Sequence, residues 1–195
     1  MREFIDVMLG RVSIPAASLS EPAPRADDLE LILKAAVSAP DHGLLRPWRF
    51  IVIQGTARQS LGTVFAAALK ADRPDIDEIE LETARKKPLR APMIIVVVAV
   101  LQKDHKIPVR EQLFSAAAAA QNVLLAASAL AYGAIWVTGR VATHPLVLKA
   151  LGLADNEEII GLINIGTAEA KVLAARQKNA KRPVLSHYVS EWKGL

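Results

Sequence analysis

The fold turns on Met93-Ile-Ile-Val-Val-Val-Ala-Val100. A strand with one wet face alternates apolar and polar residues. This stretch does not alternate, so it reads as a central strand covered on both faces. Working outward, helical spacing covers roughly 56–71 and 75–86 before it and 112–131 after it. Further strands are expected at 49–53, 134–137 and 159–165, with a helix at 144–151. Upstream, Leu29, Ile32, Leu33, Ala36 and Val37 recur at helical spacing behind Asp27-Asp28, which suits a helix start. That helix runs to about Ser38, and Pro40 keeps it from continuing. Residues 2–9 form a first short helix, and a loop rich in Ser, Ala and Pro spans Arg11 to Pro24. Strands alternating with helices predict a three-layer α/β or α+β domain. No repeat or linker divides residues 1–195, so one domain is expected.

The chain has 195 residues, 52% of them hydrophobic and 23% charged, which is enough for a packed core without metal or disulfide staples. It has no cysteine, which excludes thiolate catalysis, iron–sulfur clusters and cysteine-bound zinc and fits a cytoplasmic location. The net charge of +4 is scattered. Only Arg85-Lys-Lys87 and Lys178-Asn-Ala-Lys-Arg182 cluster, without interleaved aromatics, so no nucleic-acid partner is expected. The start, Met1-Arg-Glu-Phe-Ile-Asp-Val-Met-Leu9, carries acidic residues inside its apolar run and does not read as a signal peptide. Gln112 to Gly139 lacks charge, yet alanines dominate it and Ser115, Gln121, Asn122 and Ser128 interrupt it. It reads as a helix buried in the core or against a second subunit, not as a membrane span. The tail Val184-Leu-Ser-His-Tyr-Val-Ser-Glu-Trp192 is too apolar to be free and too short to fold alone, so it should pack along a partner or a sheet edge.

The chemical inventory is sparse. His42, His105, His144 and His187 show no metal-ligand spacing, and no nucleophile elbow, phosphate loop or dinucleotide fingerprint is present. No catalytic side chain and no metal site are assigned. Such a chain works as an enzyme when a cofactor carries the reaction. Three places suit one. Arg11-Val-Ser13 offers a guanidinium and a hydroxyl two residues apart, which match phosphate and polyol oxygens; an ordinary surface arginine and turn serine is the other reading. Gly133-Ala-Ile-Trp-Val-Thr-Gly139 and Ile160-Gly-Leu-Ile-Asn-Ile-Gly-Thr167 are strands ending in small polar residues. Strand tips of this kind face ligands. Trp136 also suits a core position. His42 lies in a loop between a helix and a strand, either bonding its own backbone or contacting a ligand.

Taken in order, several fragments resemble the nitroreductase family, in its short, single-domain branch of NAD(P)H nitroreductases. They are Arg11-x-Ser13, Glu21-Pro-Ala-Pro24, Ala39-Pro-Asp-His42, Pro47-Trp48-x-Phe50 and Arg90-Ala-Pro-Met93. His105-Lys-Ile-Pro-x-x-Glu-Gln112, Gly133-x-Ile-Trp-x-Thr-Gly139 and Gly161-x-x-x-Ile-Gly-Thr167 complete the set. The resemblance implies an α+β, three-layer α/β/α fold with a central mixed sheet and a domain-swapped homodimer. It implies FMN at the subunit interface, NAD(P)H as donor, and a nitroaromatic, quinone or related molecule as acceptor. By the same resemblance Arg11, Val12 and Ser13 hold the phosphate and ribityl chain. Ser38 and His42 contact the flavin from the helix end and loop, and Trp136, Val137 and Thr138 line it. The stretch Ala126, Ala127, Ser128, Ala129, Leu130 and Ala131 corresponds to a nicotinamide-nucleotide segment.

The chain departs from the family pattern. Val12 stands near a position often basic, Val137 follows the strand tryptophan where a base is frequent, and Leu44 replaces a loop Asn. Arg46 stands where Gln is common, and Ala168 ends a Gly-Thr-Pro pattern. Arg182-Pro183 in the tail is a candidate to restore the missing phosphate charge. The alternative to an FMN oxidoreductase is a flavin-binding carrier or sensor without robust turnover.

Overall fold

The computed structural model describes residues 2–194. In chain order the elements are α1 (Arg2–Gly10), β1 (Leu19–Ser20), α2 (Ala26–Val37), β2 (Trp48–Gln54), α3 (Ala57–Asp72) and α4 (Glu78–Lys86). Then come β3 (Met93–Val100), α5 (Val109–Ala129), β4 (Gly133–Val137), α6 (Pro145–Ala150), β5 (Glu157–Ala168) and α7 (Ala170–Lys178). The central strand falls on the expected residues. The helix expected from 75 begins at Glu78 because the Asp77 side chain accepts the Glu80 N–H at 2.7 Å and caps it. Asp27 and Asp28 sit in the first turn of α2, where carboxylates oppose the helix dipole, and Arg25 takes the cap position.

β3 lies between β2 and β5, and β4 and β1 also pair with β5. Met93 opposes Ile165 and Val100 opposes Glu157; Val137 on β4 opposes Leu162. The expected mixed sheet is corrected here: each pairing among the described residues is antiparallel. The crossover through α5 makes β3 and β4 run the same way, but β5 is inserted between them in the opposite direction.

Alternation along β3 and β5 divides the core into two layers. Met93, Ile95, Val97, Ile163 and Ile165 meet α2 and α5, whereas Ile94, Val96, Val98 and Leu162 meet α3 and α6. The alanine-rich α5 is thus a core helix of its own chain, where small side chains let it approach the sheet closely. One close approach fixes a sequence choice. Any Cβ at position 161 would overlap the Trp136 indole, whose Nε1–H donates to the Ile160 carbonyl at 3.2 Å, so only glycine fits. No helix among the described residues is long and apolar enough to cross a membrane.

Candidate functional site

The N-terminal loop is held at both ends. The Arg11 N–H donates to Val7 O at 2.9 Å, continuing α1, and the Ile14 N–H donates to Ala134 O at 3.0 Å on β4. Between them Arg11 and Val12 are half-buried and Ser13 is exposed. Val12 packs beside Ile14, Leu19 and Ala91. Arg11 and Val12 line a cavity of about 460 Å³ with Ser128, Ala131, Tyr132 and Gln177. The Arg182 guanidinium reaches this place from the tail and donates to the Arg11 carbonyl at 3.3 Å. Burial, and then the neighbouring Arg182 charge, lower the Arg11 pKa from its ordinary value. Among the described residues neither guanidinium has a carboxylate partner. Asp6 lines this cavity as well, and Arg182 stands beside it on the Arg11 carbonyl; a phosphate is an anion that can accept from both neighbouring guanidinium forks.

Of the six residues 126–131, Ser128 and Ala131 face this cavity. Ala127 is fully buried, while Ala126 and Leu130 pack on the core. Ala131 takes a left-handed turn, with φ 63°, that sends the chain from α5 into β4.

A second cavity, of about 470 Å³, opens at the tip of β4. Val137 and Thr138 line it with Lys87, Arg90, Arg140 and Asn164, and no carboxylate lines it. Alternation along β5 puts Asn164 on the same face as Leu162. Asn164 is 5% exposed as a residue and lines the cavity. Trp136 lies outside this cavity: its indole is spent on Gly161 and the Ile160 carbonyl.

Ser38 and His42 occupy a third place, the connection from α2 to β2. The Ser38 hydroxyl donates to Ala35 O at 2.7 Å and closes α2. His42 Nδ1 lies 2.6 Å from Glu111 Oε2 on α5. The loop is strained: Gly43, Leu44 and Arg46 have φ of 77°, 56° and 49°. Left-handed non-glycine residues cost on the order of 1–3 kcal/mol each and persist where the surroundings hold them. Here the Asp41 carboxylate accepts the Arg46 N–H at 2.6 Å. Neither Ser38 nor His42 lines either cavity.

One chain therefore brings Arg11 and Val12 to Ser128 and Ala131, and gathers Val137 and Thr138 elsewhere, with Ser38 and His42 apart from both. Sequence reasoning raised Arg182 and did not single out Lys87 and Asn164, which line the second cavity, or Glu111, which meets His42. Asn164 carries a signal in retrospect, as the lone polar residue in Ile160–Ile165.

The model of the Nitroreductase family matches residues 11–167. The "Putative NAD(P)H nitroreductase YdjA" of Escherichia coli K12 is 34% identical over 186 residues, covering 95% of this chain and 100% of that protein. Among solved structures, a nitroreductase-like family protein from Bacillus cereus superposes with a TM-score of 0.79 at 22% identity, covering 98% of this chain and 96% of the other. A nitroreductase with bound FMN from Bacteroides fragilis superposes with a TM-score of 0.70 at 20% identity, covering 99% and 100%.

Proposed function

This chain belongs to the nitroreductase family, and from that premise we propose that it is an FMN-dependent oxidoreductase. It passes electrons from NAD(P)H to a small organic acceptor, a nitroaromatic or a quinone. The observation that carries this reading is the pair of neighbouring guanidinium groups, Arg11 lining the cavity and Arg182 on its carbonyl, neither ion-paired among the described residues although Asp6 lines the same cavity. Arg182 supplies the second cation that Val12 does not, so the departure at Val12 leaves phosphate recognition intact. Arg11 and Arg182 hold the phosphate, and Ser13 offers its exposed hydroxyl to the ribityl chain. Val137 and Thr138 border the ring, with Lys87, Arg90 and Asn164 supplying donors where negative charge develops. FMN, once bound, supplies the two-electron chemistry, which explains why no side chain is needed as nucleophile.

The site is completed across a homodimer that exchanges its ends. Support comes from apolar residues left uncovered at both termini: Phe4 and Leu9 on α1, and Val184, Leu185, Tyr188 and Trp192 in the tail. A second chain covers these and brings its Ser38 and His42 to the flavin.

The test is anaerobic. The FMN-loaded protein is titrated with NADH and with NADPH, and then with nitroaromatic and quinone acceptors. Bleaching of the flavin band followed by its return on adding acceptor is the expected result. A yellow protein that neither nucleotide bleaches establishes the carrier reading, and a colourless one overturns flavin binding.

A further inference from the structure

We propose that Glu111 is a positioning residue that fixes His42 with its Nε2 as a hydrogen-bond acceptor, so that His42 reads a donor group of the bound flavin and not its phosphate. The inference rests on the reading above that His42 belongs to the flavin site. It starts from one contact, His42 Nδ1 to Glu111 Oε2 at 2.6 Å. A carboxylate only accepts, so Nδ1 carries the hydrogen and donates it. In a neutral imidazole the other nitrogen then offers a lone pair. A phosphate, which needs donors, is the wrong ligand for that nitrogen. A ribityl hydroxyl or a flavin ring N–H is the right one.

Both partners are held from behind. Glu111 follows a segment locked by Gln112, which is 1% exposed. The Gln112 Oε1 accepts the Gln102 N–H at 2.8 Å, and its Nε2 donates to Gln102 O at 3.0 Å and Ile107 O at 2.9 Å. His105 Nδ1 accepts the Ile107 N–H at 3.1 Å in the same segment. His42 sits on this platform. A Cβ at Gly43 would lie 3.2 Å from the Ile107 side chain, and the left-handed Leu44 and Arg46 keep the loop on one path. The two side chains are 66% and 44% exposed in the single chain, and what sets the contact apart from a free surface pair is the anchored backbone behind each partner.

The experiment is a double-mutant cycle on flavin binding, read by quenching of flavin fluorescence in the full-length protein, with thermal melts as the folding control. Glu111→Ala is expected to weaken FMN roughly tenfold, but less than about twofold in a His42→Ala background. Glu111→Gln keeps an accepting oxygen and is expected within about threefold of the parent. Riboflavin is expected to reproduce the coupling, since it retains hydroxyls and ring N–H but has no phosphate. Lumiflavin, which lacks the ribityl chain, separates the two donors: coupling retained assigns the ring N–H, and coupling lost assigns a hydroxyl. Additive effects of the two alanine substitutions, or coupling seen with FMN and absent with riboflavin, overturn the proposal. If Arg11→Ala weakens FMN and His42→Ala does not, His42 lies outside the site and the proposal falls with that placement. If no variant binds less FMN than the parent, the flavin-site reading itself fails.

Discussion

The centre of the sheet and the two ends of the chain carry the same kind of side chain in opposite circumstances. Ile95 and Val96 on β3 are 0% exposed, whereas Phe4 on α1 is 60% exposed and Trp192 in the tail 83%. The first group is satisfied inside one chain by helices on both faces. The second leaves apolar surface in water, and clustered exposure of this kind marks an interaction surface. The core is thus finished within the chain and the rim is not. The candidate site lies on the unfinished side, where Arg11 meets Arg182 next to α1 and the tail.

Four substitutions sharpen or break this contrast. Ile95→Ala leaves a void in a layer with no slack and should lower unfolding stability by about 2–5 kcal/mol, measured by urea denaturation; a change within error would mean that the centre is loosely packed. Arg11→Ala removes a charge-assisted bond of about 1.5–3 kcal/mol, so FMN should bind roughly tenfold to a hundredfold more weakly, while riboflavin should change much less. Equal weakening of the two ligands would make the arginine structural. Trp192→Ala should raise the dissociation constant of the proposed dimer roughly 30-fold in sedimentation, the effect of losing an aromatic anchor that a second copy would bury; an unchanged constant would mean that a second copy does not cover the tail.

The smallest effect concerns Glu157, which accepts two bonds from Arg49 at 2.7 Å each. The hydrogen bonds from Arg49 hold the carboxyl below its ordinary pKa. A depressed carboxyl contributes stability above its unfolded pKa and loses it as pH falls through the folded value. Glu157→Gln should therefore melt roughly 2–4 °C below the parent at neutral pH, with the gap closing in acid below about pH 4. A gap independent of pH would assign the difference to packing.

Much of the architecture was legible before any coordinates. Continuous apolar residues at 93–100 forced a strand buried on both faces, and helical spacing located α2, α3 and α5 to within a few residues. The segments that escaped are those whose neighbours do not show in local pattern. β1 is two residues long and exists because Leu19 and Ser20 meet Ala168 and Thr167. α7 buries none of its residues, so it has no apolar stripe to read. Of the candidate site, Arg11-x-Ser13 and the β4 tip stood out because loops and strand ends gather polar groups at special positions. Lys87 and Asn164 did not, since one is an ordinary lysine in a basic run and the other lies inside an apolar strand.

The sequence by itself determined which segments are strand or helix and that the core needs no staple. Periodicity and composition are local properties, and they suffice for those conclusions. Only the tertiary structure decided that Arg182 comes to Arg11 across 171 residues and Glu111 to His42 across 69. It also decided that Asn164 lines one cavity with Thr138 and Lys87. These juxtapositions depend on which strand β5 is inserted beside and in what register, and a one-residue slip would send each of its side chains to the other face.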